Sequence, residues 1–438
     1  MHHYSILIIG IIIFASHYFI GLFNRTKIPD VLLLIVLGVS FRIISVLLNI
    51  DIYPLQETAE NILPPIALAL MLFDGGNHLK FDILKNNIRN TLILTISTYL
   101  ISALIIIFLC HLIFNYALNE SIFIGVVIAG ISPAVVVPLV KSLKMSESAS
   151  AILVSESAIS DVISIILGLA VINSINHKID FFGFIGNNLS NLFIAISIGF
   201  AGSIVWSRVL KKIRRLPNTK FTTLAFIFIL YGLSETFHFN GPISVLTFSL
   251  ILANAKNIPR KFIDAFSIGG LIEFTHIEKS FFSEFIFLVK TFFFVYLGMT
   301  IQYTGLYHIF LGFIIIVILY AIRILLCRII LSKDIALDDS IIISYMIPKG
   351  LATAVLATYP ITVLQKNIYS TVNSSNINII QIVMQNEQVI IYKDILSLIY
   401  TMIVWSIIFT SILIYLSQSK YLYGFYKKYF TKFENPSY

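Results

Sequence analysis

The stretch SESAISDVISIILG, residues 155–168, sets Glu156 and Asp161 in a run that is otherwise uncharged and continues into Leu169, Ala170 and Val171. Such a run is apolar enough for lipid, yet each carboxylate at depth costs about 2.5–3.5 kcal/mol even on insertion scales. The whole chain has the same character: 58% of its 438 residues are hydrophobic and 12% are charged, against about 25% charged in soluble domains. Apolar stretches of about 18 residues or more recur throughout, which reads as an all-α polytopic membrane protein. The formal charge of +8 reflects loop bias rather than a nucleic-acid surface. Cys110 and Cys327 both fall inside apolar spans and form no disulfide framework or zinc spacing. The opening MHHYSILIIG lacks a basic segment and a cleavage site, so it reads as the first span.

Hydropathy predicts thirteen spans, near 4–23, 31–50, 59–75, 90–113, 120–142, 147–173, 188–207, 220–236, 240–254, 281–302, 304–327, 338–361 and 393–417. The loops test that count. Alternate loops collect Arg25, Lys80, Lys85, Lys141, Lys144, the run from Arg208 to Lys220, Lys256, Arg260, Arg328 and the tail lysines, whereas the opposite set holds only Lys178, Lys366 and Lys393. The positive-inside rule then places the N-terminus outside and the C-terminus in the cytoplasm. The basic tail KYLYGFYKKYFTKF is read as a membrane anchor, and the Asn/Ser-rich loop at 365–389 carries no assigned chemistry.

Few ionisable residues remain at depth: Arg42, Asp74, Glu156, Asp161, Glu284, Lys290, Arg323 and Lys349. Arg42, Glu284 and Lys290 are expected to snorkel toward the interface, and Asp74 to sit at the boundary of its span in LFDGGNHLK. Asp161 lies near the middle of its span. Desolvation penalises the charged form of any carboxylate, so such a group holds either a proton or a cation, as an exchange site must. Glu156 is five residues earlier and points to another face, where Arg323 is the first candidate partner and Lys349 the second. His17 and His111 lie within spans and His78 at a boundary, each most simply a hydrogen-bonded or interfacial side chain.

Two spans carry breakers. The fifth reads GVVIAGISPAVVVPLV, with Gly130, Pro133 and Pro138; the twelfth reads SYMIPKGLATAVLATYP, with Pro348, Gly350 and Pro360. Proline removes an intrahelical bond and clashes with the preceding turn. Unwound backbone at membrane depth survives only when it is buried in protein or lines a cavity. The fifth and twelfth spans are an odd number apart, so they cross in opposite directions. That is the pattern of inverted six-helix repeats, spans 1–6 and 8–13 with the seventh between them, and paired broken helices in such repeats mark the ion site of a secondary transporter.

At these residues the chain resembles the cation:proton antiporter superfamily, the sodium/proton exchanger fold. The resemblance rests on PDVLLLIVLGV in span 2, LMLFDGG in span 3, SPAVVVPL in span 5, ESAISDV in span 6, TFFFVYLGM in span 10 and IPKGLATAVLA in span 12. It implies a homodimer and two crossed broken helices beside the carboxylate of span 6. It further implies a dimer or gate domain from 1–75 and 220–302, an ion-binding core from 84–173 and 304–417, a linking helix at 188–207 and a short cytoplasmic tail at 418–438. Asp161 matches the family's ion-binding aspartate, and Glu156 its structural glutamate, paired to Arg323. Ser157 and Asp74 match positions that help ligate the ion or line its path, and Lys349 stands where many relatives have arginine. The chain also departs from the pattern: Ser160-Asp161 replaces Asn-Asp or Asp-Asp, and Ile131-Ser132-Pro133 replaces Thr-Asp-Pro. Ser132, Ser157, Ser160, freed carbonyls and water then have to supply the remaining oxygens, which suit a hard cation.

The expected function is exchange of a monovalent cation, Na⁺, for H⁺ by alternating access in a microbial plasma membrane, with Asp161 binding either ion. One titrating carboxylate implies one ion against one proton, an electroneutral cycle. A K⁺/H⁺ antiporter of the same fold, a transport-inactive ion sensor or scaffold, and a uniporter or channel are the competing readings. No phosphate-binding loop, metal-ligand spacing or nucleophile constellation points to an enzyme, and no cofactor is expected. The expected partners are Na⁺ (or Li⁺ or K⁺), H⁺, membrane lipid and a second copy of the chain.

Overall fold

The structure, a computed structural model, describes residues 2–26, 29–48, 53–78, 81–143, 145–176, 181–214, 219–237, 239–257, 274–300, 306–331, 335–372 and 387–417. The 373–386 part of the Asn/Ser-rich loop and the 418–438 tail lie outside the described residues. The described residues are helical, with short connections and no strand. Their α-helices are α1 His2–Thr26, α2 Asp30–Leu47, α3 Tyr53–His78, α4 Phe81–Phe108, α5 Leu118–Ala129, α6 Pro133–Ser142, α7 Glu147–Asn176 and α8 Phe181–Ile213. Then follow α9 Lys220–Thr236, α10 Gly241–Ala253, α11 His276–Thr300, α12 Leu306–Ile330, α13 Leu337–Tyr345, α14 Leu351–Val372 and α15 Glu387–Ser417. Eight stretches among the described residues are long and apolar enough to cross a membrane. In hydrocarbon every backbone group must be satisfied within the protein, and a helix does this locally. Large apolar side chains such as Phe14, Leu306 and Ile329 are accordingly exposed.

The fifth and twelfth spans are each two helices. α5 stops at Ala129 and α6 starts at Pro133, and α13 stops at Tyr345 and α14 starts at Leu351. Gly130 is extended, at φ −64° and ψ 159°, as is Ser132, at φ −82° and ψ 117°. Pro133 takes the first helical position, where its missing N–H costs nothing. Pro138 and Pro360 do not break the chain: α6 and α14 continue through them. Pro138 was expected among the broken-helix residues. The unwinding instead ends at Pro133, whose fixed φ starts the next helix.

The chain divides into two compact units. The first comprises residues 1–57, 87–172 and 294–438. Within it α15 packs along α12 and α14. The Tyr320 hydroxyl donates to the Ser406 carbonyl at 2.9 Å, and the Trp405 indole N–H to the Ile309 carbonyl at 3.1 Å. α2 and the end of α11 meet at glycines: a Cβ on Gly38 would lie 2.9 Å from the Gly298 Cα. Small residues at such crossings let backbones approach, which is how helices associate where lipid removes the hydrophobic drive. Next to this contact Arg42 donates to the Met299 carbonyl at 2.8 Å, so it is held by protein rather than snorkelling. His17 and His111 each place Nδ1 2.9 Å from a backbone carbonyl, of Ile13 and Tyr116.

The second unit comprises residues 58–86 and 173–293. Ser244 on α10 joins α8 and α9 there, donating to the Ala195 carbonyl at 3.1 Å and accepting from the Ser234 hydroxyl at 3.0 Å. Phe73, Phe248, Phe274 and Phe282 pack as an aromatic cluster with centroids 5.1–6.3 Å apart. Lys290 is buried, at 8% exposure, where a snorkelling side chain would be open. Asp74 belongs to this unit, half-buried near the end of α3.

Candidate functional site

Where α5 ends, its last carbonyls have no partner within the helix. Three residues of other spans supply donors, two from helices and Lys349 from the unwound stretch before α14. The Tyr99 hydroxyl on α4 donates to the Val126 carbonyl at 2.9 Å, and the Thr353 hydroxyl on α14 to the Val127 carbonyl at 3.2 Å. The Lys349 ammonium reaches the Ala129 and Gly130 carbonyls at 3.3 and 3.0 Å. A cation at a helix C-terminus also opposes the helix dipole, so Lys349 completes the end of a half-helix from the opposite broken span.

The two unwound stretches meet through their main chains. The Ser132 N–H donates to the Pro348 carbonyl at 2.9 Å. The Ile131 N–H donates to the Ser160 hydroxyl oxygen at 3.1 Å, which fastens the break in the fifth span to α7. The Lys349 N–H donates to the Ser406 hydroxyl oxygen at 2.8 Å, which fastens the other break to α15. Gly350 permits the approach, because a Cβ there would overlap the Ser132 side chain. Gly350→Ala should therefore force the breaks apart. The expected cost is about 1–3 kcal/mol, as for overpacking in general, read as a lowered melting temperature together with reduced transport.

The two carboxylates of α7 have opposite surroundings. Glu156 is fully buried and is held by the Arg323 guanidinium of α12 through two hydrogen bonds, one to each oxygen, the second of 2.7 Å. The Thr98 hydroxyl on α4 adds a third at 3.2 Å. Arg323 also donates to the Ile343 carbonyl at 3.2 Å, in the last turn of α13, so each C-terminal half-helix end at the breaks receives a cation. Arg323, not Lys349, is thus the partner of Glu156. Asp161 is half-buried and, among the described residues, receives no hydrogen bond or ion pair.

Of the expected site residues, the structure brings Gly130, Ser132, Pro133, Pro348, Lys349 and Gly350 together at the crossing, with Ser160 against it. Ser157 lies on the same helix, its hydroxyl donating to the Val154 carbonyl at 2.9 Å. The sequence reading passed over Tyr99, Thr98, Thr353, Ser406 and Ser164. One signal was available for α4: Thr91, Thr95 and Thr98 recur at helical spacing in an apolar run and are all buried.

Two solved structures of the sodium proton antiporter MjNhaP1 from Methanocaldococcus jannaschii are similar in fold. One, at pH 8, has 18% sequence identity and a TM-score of 0.70 over 95% of this chain and 98% of that one. The other, an electron-microscopy structure, has 19% identity and a TM-score of 0.68 over 100% of both chains. No curated protein matches the chain. Residues 10–418 match the family described as sodium/hydrogen exchanger, transmembrane. With that match across nearly all of its helices, this multi-pass membrane protein belongs to the sodium/hydrogen exchanger family.

Proposed function

We propose that the protein exchanges Na⁺ for H⁺ by alternating access, and that Asp161 is the group on which the two ions compete. The observation that carries the reading is the contrast within α7: Glu156 is saturated by Arg323 and Thr98, whereas the Asp161 carboxylate has no partner among the described residues. A carboxylate at depth without a protein partner is completed by a proton or a cation. With Glu156 held by its arginine and Lys349 by two carbonyls, one exchanging group remains, which supports one Na⁺ against one H⁺ and no net charge moved.

In this reading residues 84–173 and 304–417 form the ion-binding core, which moves against a gate built from 1–75 and 220–302. Two chains pair in a lipid bilayer, with N-termini outside and C-termini in the cytoplasm. The loop charges support that orientation.

Purified protein in liposomes carrying a pH gradient and a pH-sensitive dye tests the proposal. Na⁺ and Li⁺, added in turn, are expected to collapse the gradient with no current across a supported membrane. Collapse by K⁺ alone would make the protein a K⁺/H⁺ exchanger. No response to any of the three cations at neutral or alkaline pH, in folded protein, would overturn antiport in favour of an ion sensor.

A further inference from the structure

The buried Ser164 hydroxyl has no place in the site described so far. On a helix that turns about 100° per residue, Ser157, Asp161 and Ser164 fall in one stripe about 60° wide, while Glu156 lies about 140° from Asp161. Ser164 is 0% exposed, and its Oγ has no hydrogen-bond partner among the described residues. Serine in a helix ordinarily bonds back to a carbonyl one turn earlier, as Ser157 does to Val154 and Ser160 to Ser157. Ser164 does not. Its Oγ instead presses against Gly130, where a Cβ would overlap it, so it is aimed at the break in the fifth span. The Tyr99 hydroxyl stands near both Ser164 and Asp161; its proton goes to the Val126 carbonyl, which leaves its oxygen as an acceptor to which the Ser164 hydroxyl can turn when no cation is bound.

We propose that Ser164 is a cation ligand on the side of Asp161 opposite Ser157, so that the ion is held by Asp161 with Ser157 in one open state and by Asp161 with Ser164 in the other. The proposal rests on the antiport reading of Asp161. Helix geometry carries the division. Ser157 and Ser164 are seven residues apart in the sequence, which is about 10 Å along the axis. Two oxygens on one small cation stand at most about 5 Å apart, twice a metal–oxygen distance of about 2.4 Å. One ion therefore cannot touch both hydroxyls, whereas Asp161, between them, can serve with either. The hydroxyl supplies an oxygen without a charge, so it fills the place of the carboxylate absent at Ser132 and leaves the one-for-one exchange intact. The Ser132 side chain, directed at Gly350, is not available for that place.

The test is the Michaelis constant for Na⁺ at each face of oriented proteoliposomes, for wild type, Ser164→Ala, Ser164→Cys and Ser157→Ala. Ser164→Ala and Ser164→Cys should raise it roughly tenfold at one face, the loss of about one neutral ligand, with a smaller change in kcat. Ser157→Ala should do so at the other face. Ser164→Cys leaves no cavity and replaces the hard oxygen by a softer, somewhat larger sulfur, so set beside Ser164→Ala it separates lost ligation from lost packing. Melting temperature should fall little in Ser164→Ala, because at most the contact with the Tyr99 oxygen is removed. Unchanged constants at both faces, equal changes at both, or a fall in melting temperature alone would overturn the role of Ser164. If wild-type protein exchanges no cation at all, the antiport reading itself fails, and that result is separate from any effect of Ser164.

Discussion

Asp161→Asn is expected to reduce cation-dependent collapse of a pH gradient to the leak of empty liposomes, while the protein folds as well as wild type. The two side chains have nearly the same shape. In the structure nothing among the described residues bonds the Asp161 carboxylate, so its replacement orphans no partner. It also removes a charge whose burial opposes folding. Melting temperature should therefore hold or rise as transport vanishes. The wild-type protein adds a second signature. If one carboxylate binds either ion, protons compete with Na⁺, and in the acidic limit the apparent Michaelis constant for Na⁺ rises about tenfold per pH unit, the mass-action value for one proton. Dye-quench transport paired with thermal melting, both on Asp161→Asn, checks the claim. Retained exchange in the variant would remove Asp161 from the carrier role.

Arg323→Ala should fail in the opposite way. The guanidinium makes two hydrogen bonds to Glu156 and one to the Ile343 carbonyl. Without it Glu156 keeps only Thr98, and an uncompensated buried charge is worth about 3–5 kcal/mol of stability. Arg323→Ala is thus expected to melt far below wild type, or not to accumulate folded. Glu156→Gln should be milder, because it leaves a neutral amide facing an arginine that still holds a carbonyl. The double change Glu156→Gln with Arg323→Met should recover much of the loss, since apolar replacement of a buried pair is often neutral. Melting temperatures of the four proteins decide it. Equal stability of Arg323→Ala and wild type would mean that the pair contributes nothing.

The two substitutions explain what the sequence could and could not show. Glu156 and Asp161 were separable on paper, because five residues along a helix puts them on different faces. The partner of Glu156 was not separable, because Arg323 and Lys349 are both cations deep in apolar spans and linear spacing does not choose between them. The choice is made by a third element: the end of α5 exposes the Ala129 and Gly130 carbonyls, and Lys349 is spent on them. The broken spans were legible from Gly130, Pro133, Pro348 and Gly350. Pro138 and Pro360 looked the same in sequence yet sit inside continuous helices. Ser164 could not have been picked out, since a serine bonded to its own helix and one aimed outward are written with the same letter.

The bond from the Ser132 N–H to the Pro348 carbonyl has a mechanical meaning. Main-chain atoms from the two halves of the sequence are riveted where the two broken spans cross. Shearing one broken span past the other would strip that bond, and those of Ile131 and Lys349, where no water can replace them, at several kcal/mol for each group left bare. The crossing is therefore stiff. Under the proposed alternating access it would travel as one piece, and the compliance needed to open first one face and then the other would have to reside away from it.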